Sequence, residues 1–352
     1  MTLAASPLIA DYQIKVNRVA LDTELMLDVL EVAVLDDLAG PSMFSLRMAT
    51  WRQATQSYTW VDSGLFAIGA EVEVSLGYVD RLESIIVGEI TSLELSVDSG
   101  EAPELLVRGY DRRHRLLRGE QTRTFVNMSD SDIAAAIARD NNLTPDVVDS
   151  RVVHEHVWQH AQSDLGFLCA RAAAIGYEVV VGDKTLYFRP HATASEPALV
   201  LATERDIKTF GLRMTAQGQV GTQRVSGWDV GGKQAIFGAA SGAQVVAMGG
   251  TPGAEIADKA FGASDSLRTG QPIVAQDQAD SASLGQLGTR ALAFILGEGI
   301  CPGSAQLRAG KLVSLSGLGD RFSGPYYIEQ ARHSCSAESG YQTAIKVRRN
   351  AT

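Results

Sequence analysis

The sequence predicts a mainly β protein carrying a small α/β insertion and one further helical segment. Three observations predict it. Residues 11–115 and the closing forty residues alternate apolar and polar side chains with the period of two that half-buried strands require. Several short strands fall within about a hundred residues with no strong helix among them, the pattern of an antiparallel barrel or sandwich. Near Arg118 the texture changes to helical spacing and then returns to strands. The expected division is 1–117, a first β domain; 118–203, the insertion; and 204–352, a second β domain.

In the first region "DYQIKVNRVAL", "LMLDVLEVAVL", "FSLRMAT", "EVEVSLGYV", "SIIVGEITSLELSV" and "ELLVRGYD" read as strands. The breaks "LAGPS", "VDSG" and "VDSGEAP" carry turn chemistry. In the insertion, "NMSDSDIAAAIARDNNL" reads as a helix capped by Ser129 or Ser131, with acids in its first turn and Ile133 and Ile137 on one face. "SRVVHEHVWQH" reads as a strand. "SDLGFLCARAAAIGY" reads as a second helix, capped by Ser163, striped by Leu165, Leu168, Ala172 and Ile175, and stopped by Gly176. "YEVVVGDKTLYFRP" is a hairpin turning at Gly182-Asp183.

In the third region "ERDIKTFGLRMT" and "QVGTQRVSGWDV" read as strands. Residues 231–270 hold nine glycines in forty positions, well above a background of roughly 7%. That density excludes a single regular element and predicts loops, edge strands or partial disorder. "SLGQLGTRALAFILGEG" predicts a helix near 283–297, and "RAGKLVSLSGLGDRFSGPYYIEQARHSCSAESGYQTAIKVRR" returns to strands and hairpins. This closing stretch echoes "IGAEVEVSLG…VGEITSLELSVDSGEAPELLVRGYD". Each has a glycine-led strand, a turn, a strand, an acidic Ser/Gly turn and a closing strand, so an internal duplication is one reading and chance agreement of strand patterns the other.

Composition narrows the function classes. A chain of 352 residues is long enough for two or three domains with cores of their own. The net charge of −10, from 31 basic and 41 acidic residues, argues against a broad nucleic-acid surface. Cys169, Cys301 and Cys335 are few, odd in number and without CxxC spacing, which suits a reducing compartment. No stretch has the length and apolarity of a membrane span or the pattern of a signal peptide, so a soluble protein made in the cytoplasm is expected. The sequon at Asn127 then has no meaning as a glycosylation site.

The chemistry-bearing motifs mostly fail. "HEHVWQH" sets His154, His156 and His160 within seven residues. His-x-His on a strand puts two imidazoles on one face, and a third could complete a zinc site. Against this, His154 and His156 read as exposed strand positions, His160 as part of the connection to the next helix, and Glu155 points to the other face. A P-loop is missing: the segment from Ala305 to Gly310-Lys311-Leu312 lacks the first glycine and the hydroxyl. GxSxG and HExxH are also missing. Asp36-Asp37 and Asp130/Asp132 read as turn and helix-start acids. Cys169 reads as a core cysteine. The strongest basic feature is "RGYDRRHRLLRG", with Arg108, Arg112, Arg113, Arg115 and Arg118. It is either a solvated strand end and linker or an interface to acidic partner subunits.

Three segments together resemble a known family. "VGEITSLELSVDSGEAPELLVRGYDRRHRLLRGEQTRTFVNMSDSDIAAAIA", "HVWQHAQSDLGFLCARAAAIGYEVVVGDKTLYFRP" and "LRAGKLVSLSGLGDRFSGPYYIEQARHSCSAESGYQTAIKVRR" occur in the order seen in the phage late control D, gp27-like hubs of contractile tails and in the hub region of VgrG spike proteins. The resemblance implies two tube-like antiparallel β-barrels flanking the insertion, with Gln159 or Gln162 near the start of the second helix and no metal at the histidines. It also implies a homotrimer whose six barrels form a pseudo-sixfold ring that receives a hexameric tail tube, while the other end receives a trimeric spike. VgrG proteins continue into an OB domain and a needle; this sequence ends about ten residues after Tyr341, so the spike is expected to be a separate protein.

The leading expectation is thus a structural, non-enzymatic baseplate hub without cofactor, assembled into a phage tail or an injection particle. Its partners would be tube, spike, and wedge or tube-initiator proteins. A metal-dependent enzyme using His154, His156 and His160 is the alternative. A nucleic-acid module using Arg108 to Arg118 is a third reading, which salt-sensitive DNA retention would reveal.

Overall fold

The computed structural model describes residues 9–100, 102–270 and 272–352. Mainly β, with large antiparallel sheets and a few helices, the chain forms two compact units. The first comprises Met1–His114, Ile300–Ala309 and Gln330–Ile345, the second Arg115–Gly299, Gly310–Glu329 and Lys346–Thr352. No described helix is long and apolar enough to cross a membrane.

The first unit opens with β1 (Ala10–Val16) and β2 (Val19–Ala20), joined by Asn17 and Arg18, both at positive φ. A six-residue helix, α1 (Thr23–Asp28), follows where the sequence predicts the second strand to begin, at Leu25. The Asp22 side chain accepts the Leu25 N–H and so starts it, a local bond that a period-two reading overlooks. Then come β3 (Val29–Asp37), β4 (Met43–Ala49), the short β5 (Trp51–Arg52) and β6 (Ser57–Tyr58), β7 (Glu71–Tyr78), the long β8 (Arg81–Ser96) and β9 (Glu104–Tyr110). These pair antiparallel in the order β3-β4-β9-β8-β7-β1-β2, and Gln330–Ser336 pairs with β3. Asp36 and Asp37 end β3 and do not occupy a turn.

One face of this sheet is sealed. Ile14, Val32, Val34, Phe44, Leu46, Met48, Val72, Val74, Leu76 and Val107 are 0% exposed, and Cys335 and Tyr341 join the same cluster. Phe44 lies against Gly109, where a Cβ would meet its ring at 2.4 Å. The glycine in "RGYD" is therefore a packing requirement.

The second unit holds the insertion. β10 (Gln121–Ser129) leads into α2 (Asp130–Asp140), β11 (Thr144–Val147), β12 (Val153–Gln162), α3 (Asp164–Ile175), β13 (Tyr177–Gly182) and β14 (Thr185–Pro190). Ser129 is the cap of α2 and forms a capping box with Asp132. Ser131 instead exchanges hydrogen bonds with Ser150. Ser163 caps α3, and Gly176 ends it at φ 72°. Leu165, Leu168 and Ala172 are buried with Phe125, Ile133, Ile137, Leu186 and Phe188 in one core.

The rest of the unit comprises β15 (Leu199–Ala202), α4 (Thr203–Asp206), β16 (Thr209–Met214), β17 (Thr222–Asp229), β18 (Gln234–Ser241), α5 (Gly253–Phe261), β19 (Asp265–Arg268) and α6 (Gln276–Ala291). β20 (Ile295–Pro302), β21 (Leu312–Ser316), α7 (Gly319–Phe322), β22 (Gly324–Ser336) and β23 (Gly340–Arg349) complete the chain. The glycine-rich stretch 231–270 thus holds two strands, a 3-10 turn at Gly242–Gln244 and one short α-helix.

The helix expected near 283–297 runs from Gln276 to Ala291, and Ile295 starts a strand. Its first half is polar and its buried face is made by Ala279 and Ala282, which pack on Val225 and Ile236. An apolar stripe made of alanines gives little sequence signal. Gly285, which lowered helix propensity, allows α6 to touch the end of α3: a Cβ there would sit 2.2 Å from the Ile175 carbonyl carbon.

Candidate assembly interface and histidine sites

The arginine run divides into two kinds. Arg108 lies on β9, half exposed, 2.9 Å from Glu94. From Arg112 the chain turns as a 3-10 helix to Leu117. Arg112 is buried and reaches Glu71 at 2.5 Å and Glu89 at 3.4 Å. Burial works against ionising Glu71; the Arg112 guanidinium outweighs it and holds the carboxyl below the usual range. Arg113 is 1% exposed and bonds the Asp111 carboxylate, Ser42 Oγ and the Asp37 carbonyl. Arg112 and Arg113 are therefore internal braces, whose partners stand up to 76 residues away in sequence. Arg115 and Arg118 are exposed. Of the five candidates, Arg108, Arg115 and Arg118 offer guanidinium surface to solvent.

The histidines separate as well. His160 belongs to β12, not to the connection that follows it. His156 and His160 are exposed, and the His160 ring lies 4.3 Å from that of Trp158. His154 is not a free exposed position. Its Nε2 lies 3.3 Å from Asp130 Oδ2 and 2.8 Å from Arg171 Nη2, and Arg171 Nε donates to Asp130 Oδ1 at 2.5 Å. Burial raises the cost of ionising Asp130, yet His154 and Arg171 together hold it below the usual carboxylate range. The triple ties α2, β12 and α3 and borders a cavity of about 220 Å³ lined also by Ser150, Ile273 and Gln278. Among the described residues no group of three His, Cys, Asp or Glu side chains is placed to hold a metal ion.

This geometry yields a prediction. His156→Gln with His160→Gln should change stability by no more than about 0.5 kcal/mol, as for exposed sites generally. His154→Gln should cost about 1 kcal/mol, because it disturbs a hydrogen bond to a buried charge. Denaturant midpoints of the two variants check the order.

Gln159 is fully buried on β12, with its side chain against Asp164 at the start of α3. Its amide nitrogen donates to Asp164 Oδ1 at 2.9 Å, and its oxygen accepts from Arg123. Sequence reasoning missed two further clusters. Glu178, on the inner face of β13, receives Arg189 at 3.0 Å, His191 at 3.2 Å and a short bond from the Tyr327 hydroxyl. Burial opposes its ionisation, but these donors keep it below the usual range, while burial beside that carboxylate drives the Tyr327 hydroxyl far upward. An acid among the valines of "YEVVVG" was the available signal.

The second missed cluster is His333, which is 0% exposed with Nδ1 2.9 Å from the Tyr341 hydroxyl and 3.2 Å from Thr343 Oγ1. Burial, aided by Arg308, pushes this imidazole down to about 4 from 6.5. The unfolded chain therefore takes up the proton first. The contribution is complete above about pH 6.5 and lost as pH falls toward 4, on the order of 3 kcal/mol. Comparing wild type with His333→Phe by denaturation at pH 7 and pH 4.5 tests this; the wild type should lose more stability than the variant.

The Alg8 N-terminal domain family matches residues 7–337. The chain belongs to this family. No curated protein matches it in sequence. In fold, this Alg8 N-terminal domain protein is similar to a 43 kDa tail protein of prophage MuSo2 from Shewanella oneidensis, with TM-score 0.72 and 14% identity, covering 97% of this chain and 98% of that one. It is similar to a tail protein from Neisseria meningitidis MC58, with TM-score 0.67 and 12% identity over 96% of each chain. It is also similar to an E. coli type VI secretion component described as resembling the T4 tail proteins gp27 and gp5, with TM-score 0.56 and 13% identity, covering 97% of this chain and 77% of that one. At these identities the likeness is one of fold. The chain shares the fold of these proteins across nearly its full length.

Proposed function

We infer that this protein is a structural, non-enzymatic hub component of a contractile tail or contractile injection particle. The observation that carries the reading is the end-to-end likeness to phage tail proteins, over 96–98% of both chains in two cases. In this reading residues 1–117 and 204–352 supply the two tube-like barrels and 118–203 the insertion. The meander β7-β8-β9 and the related run β21, β22, β23 are then two versions of one device. Three copies present six barrel units to a hexameric tube and three equivalent ends to a trimeric spike. Arg108, Arg115 and Arg118 face neighbouring subunits or partners, while Arg112 and Arg113 act at a distance by holding the fold.

Electron microscopy of particles carrying an epitope tag on this chain tests the reading. Label at one end of the tail, at the baseplate, supports it. Label along the whole tail, or particles without label, contradicts it. No described cluster favours the metal-enzyme alternative, whose His154 is engaged with Asp130 and Arg171.

A further inference from the structure

In the first unit the rows of the core run one strand further than the core itself. Val32, Leu46, Val107 and Leu93 are successive cross-strand neighbours on β3, β4, β9 and β8. Met48, Leu105 and Leu95 form the next row. The inner members are sealed, whereas Leu93 is 38% exposed, Leu95 44% and Val97 60%. The reason is that β7 accompanies β8 only between Arg81 and Glu89. Residues 91–96 have β9 on one side and, among the described residues, no strand on the other. This stretch, "TSLELS", has no proline or lysine. Proteins usually protect a long edge with an apolar face by such residues.

A second edge matches it. Among the described residues β16 ends its sheet and pairs with β20 alone. Its six residues alternate, with Phe210, Leu212 and Met214 half buried on one face and Thr209, Gly211 and Arg213 exposed on the other; exposed Lys208 precedes them. On β8 the face opposite the leucines carries Ser92, Glu94, Ser96 and, just beyond, Asp98. Glu94 and Arg108 are paired yet both stay over 40% exposed, so Glu94 can accept another donor. The two edges agree in length, each has one apolar face, and their polar faces are opposite in charge.

We propose that these edges are partners between copies of this chain: β16 of one copy adds to residues 91–96 of β8 in the next. Main-chain bonds complete the row of each sheet, Leu93 and Leu95 align with Phe210 and Leu212, and on the opposite face Arg213 meets Glu94 and Asp98. Because the two patches differ, the contact is heterologous, and repeating it gives a ring where the rotation between copies closes. That the ring closes at three copies rests on the hub reading above.

The test uses the full chain at high micromolar concentration and reads mass by sedimentation equilibrium. One variant, Leu93→Asp with Leu95→Asp, spoils the β8 edge. The other, Leu212→Asp with Arg213→Glu, spoils the β16 edge. All substituted positions are exposed or half exposed, and unchanged circular dichroism verifies folding. The wild type should be a three-copy species and each variant alone a monomer. An equimolar mixture should give a one-plus-one dimer, since one intact edge of each kind remains. A variant that alone keeps three copies, a mixture that stays monomeric, or a monomeric wild type overturns the edge pairing. The copy number inside assembled particles is a separate measurement, so the hub reading stands or falls independently.

Discussion

Leu168→Asp is expected to unfold the insertion. Leu168 is 0% exposed at the centre of the α3 stripe, packed with Ile133, Ile137, Leu186 and Phe188. Loss of a buried leucine alone costs about 2–5 kcal/mol. A carboxylate at that site has no partner in the cluster and adds a desolvation cost of several kcal/mol. The sum rivals the whole stability of a domain, about 5–15 kcal/mol. Hydrogen exchange should show lost protection across α2, α3 and β13–β14. Leu168→Met, which keeps the volume, should behave as wild type. Full protection in Leu168→Asp would mean that α3 turns another face inward.

Arg113→Ala should cost about 3–5 kcal/mol, the usual effect of removing one partner of a buried ion pair. The guanidinium neutralises Asp111, whose side chain is 4% exposed, and joins β4 to the end of β3 through Ser42 and the Asp37 carbonyl. Removing it leaves the Asp111 charge buried without its cation. Arg118→Ala, six residues after the turn begins and exposed, should change stability by less than about 0.5 kcal/mol. Urea denaturation of the two variants distinguishes a brace from a solvated charge. Equal midpoints would contradict the bracing role of Arg113.

What was legible in the sequence was local. The α3 helix could be read from Ser163, the Leu165–Leu168–Ala172 spacing and Gly176, because cap, stripe and stop all lie within fourteen residues. The β13–β14 hairpin, turning at Asp183 with φ 48°, was legible for the same reason. The choice between Ser129 and Ser131 was not, because Ser150 across the fold decides it. α6 was displaced because alanines and a contact glycine replace the leucine stripe that marks most helices. Arg112 and Arg113 looked like their exposed neighbours until Glu71, Glu89 and Asp37 were brought beside them. His154 likewise took its role from Asp130 and Arg171, 24 and 17 residues away. Charge runs show where ions lie along the chain; only packing shows which of them have been withdrawn from solvent.

The measurement that bears most directly on the central claim is the number of copies of this chain in one assembled particle, counted by quantitative mass spectrometry against the tube and spike proteins. A symmetry-adapting hub with two barrel units per chain requires three copies. Six copies would leave no symmetry difference for the second barrel to bridge and would contradict the account.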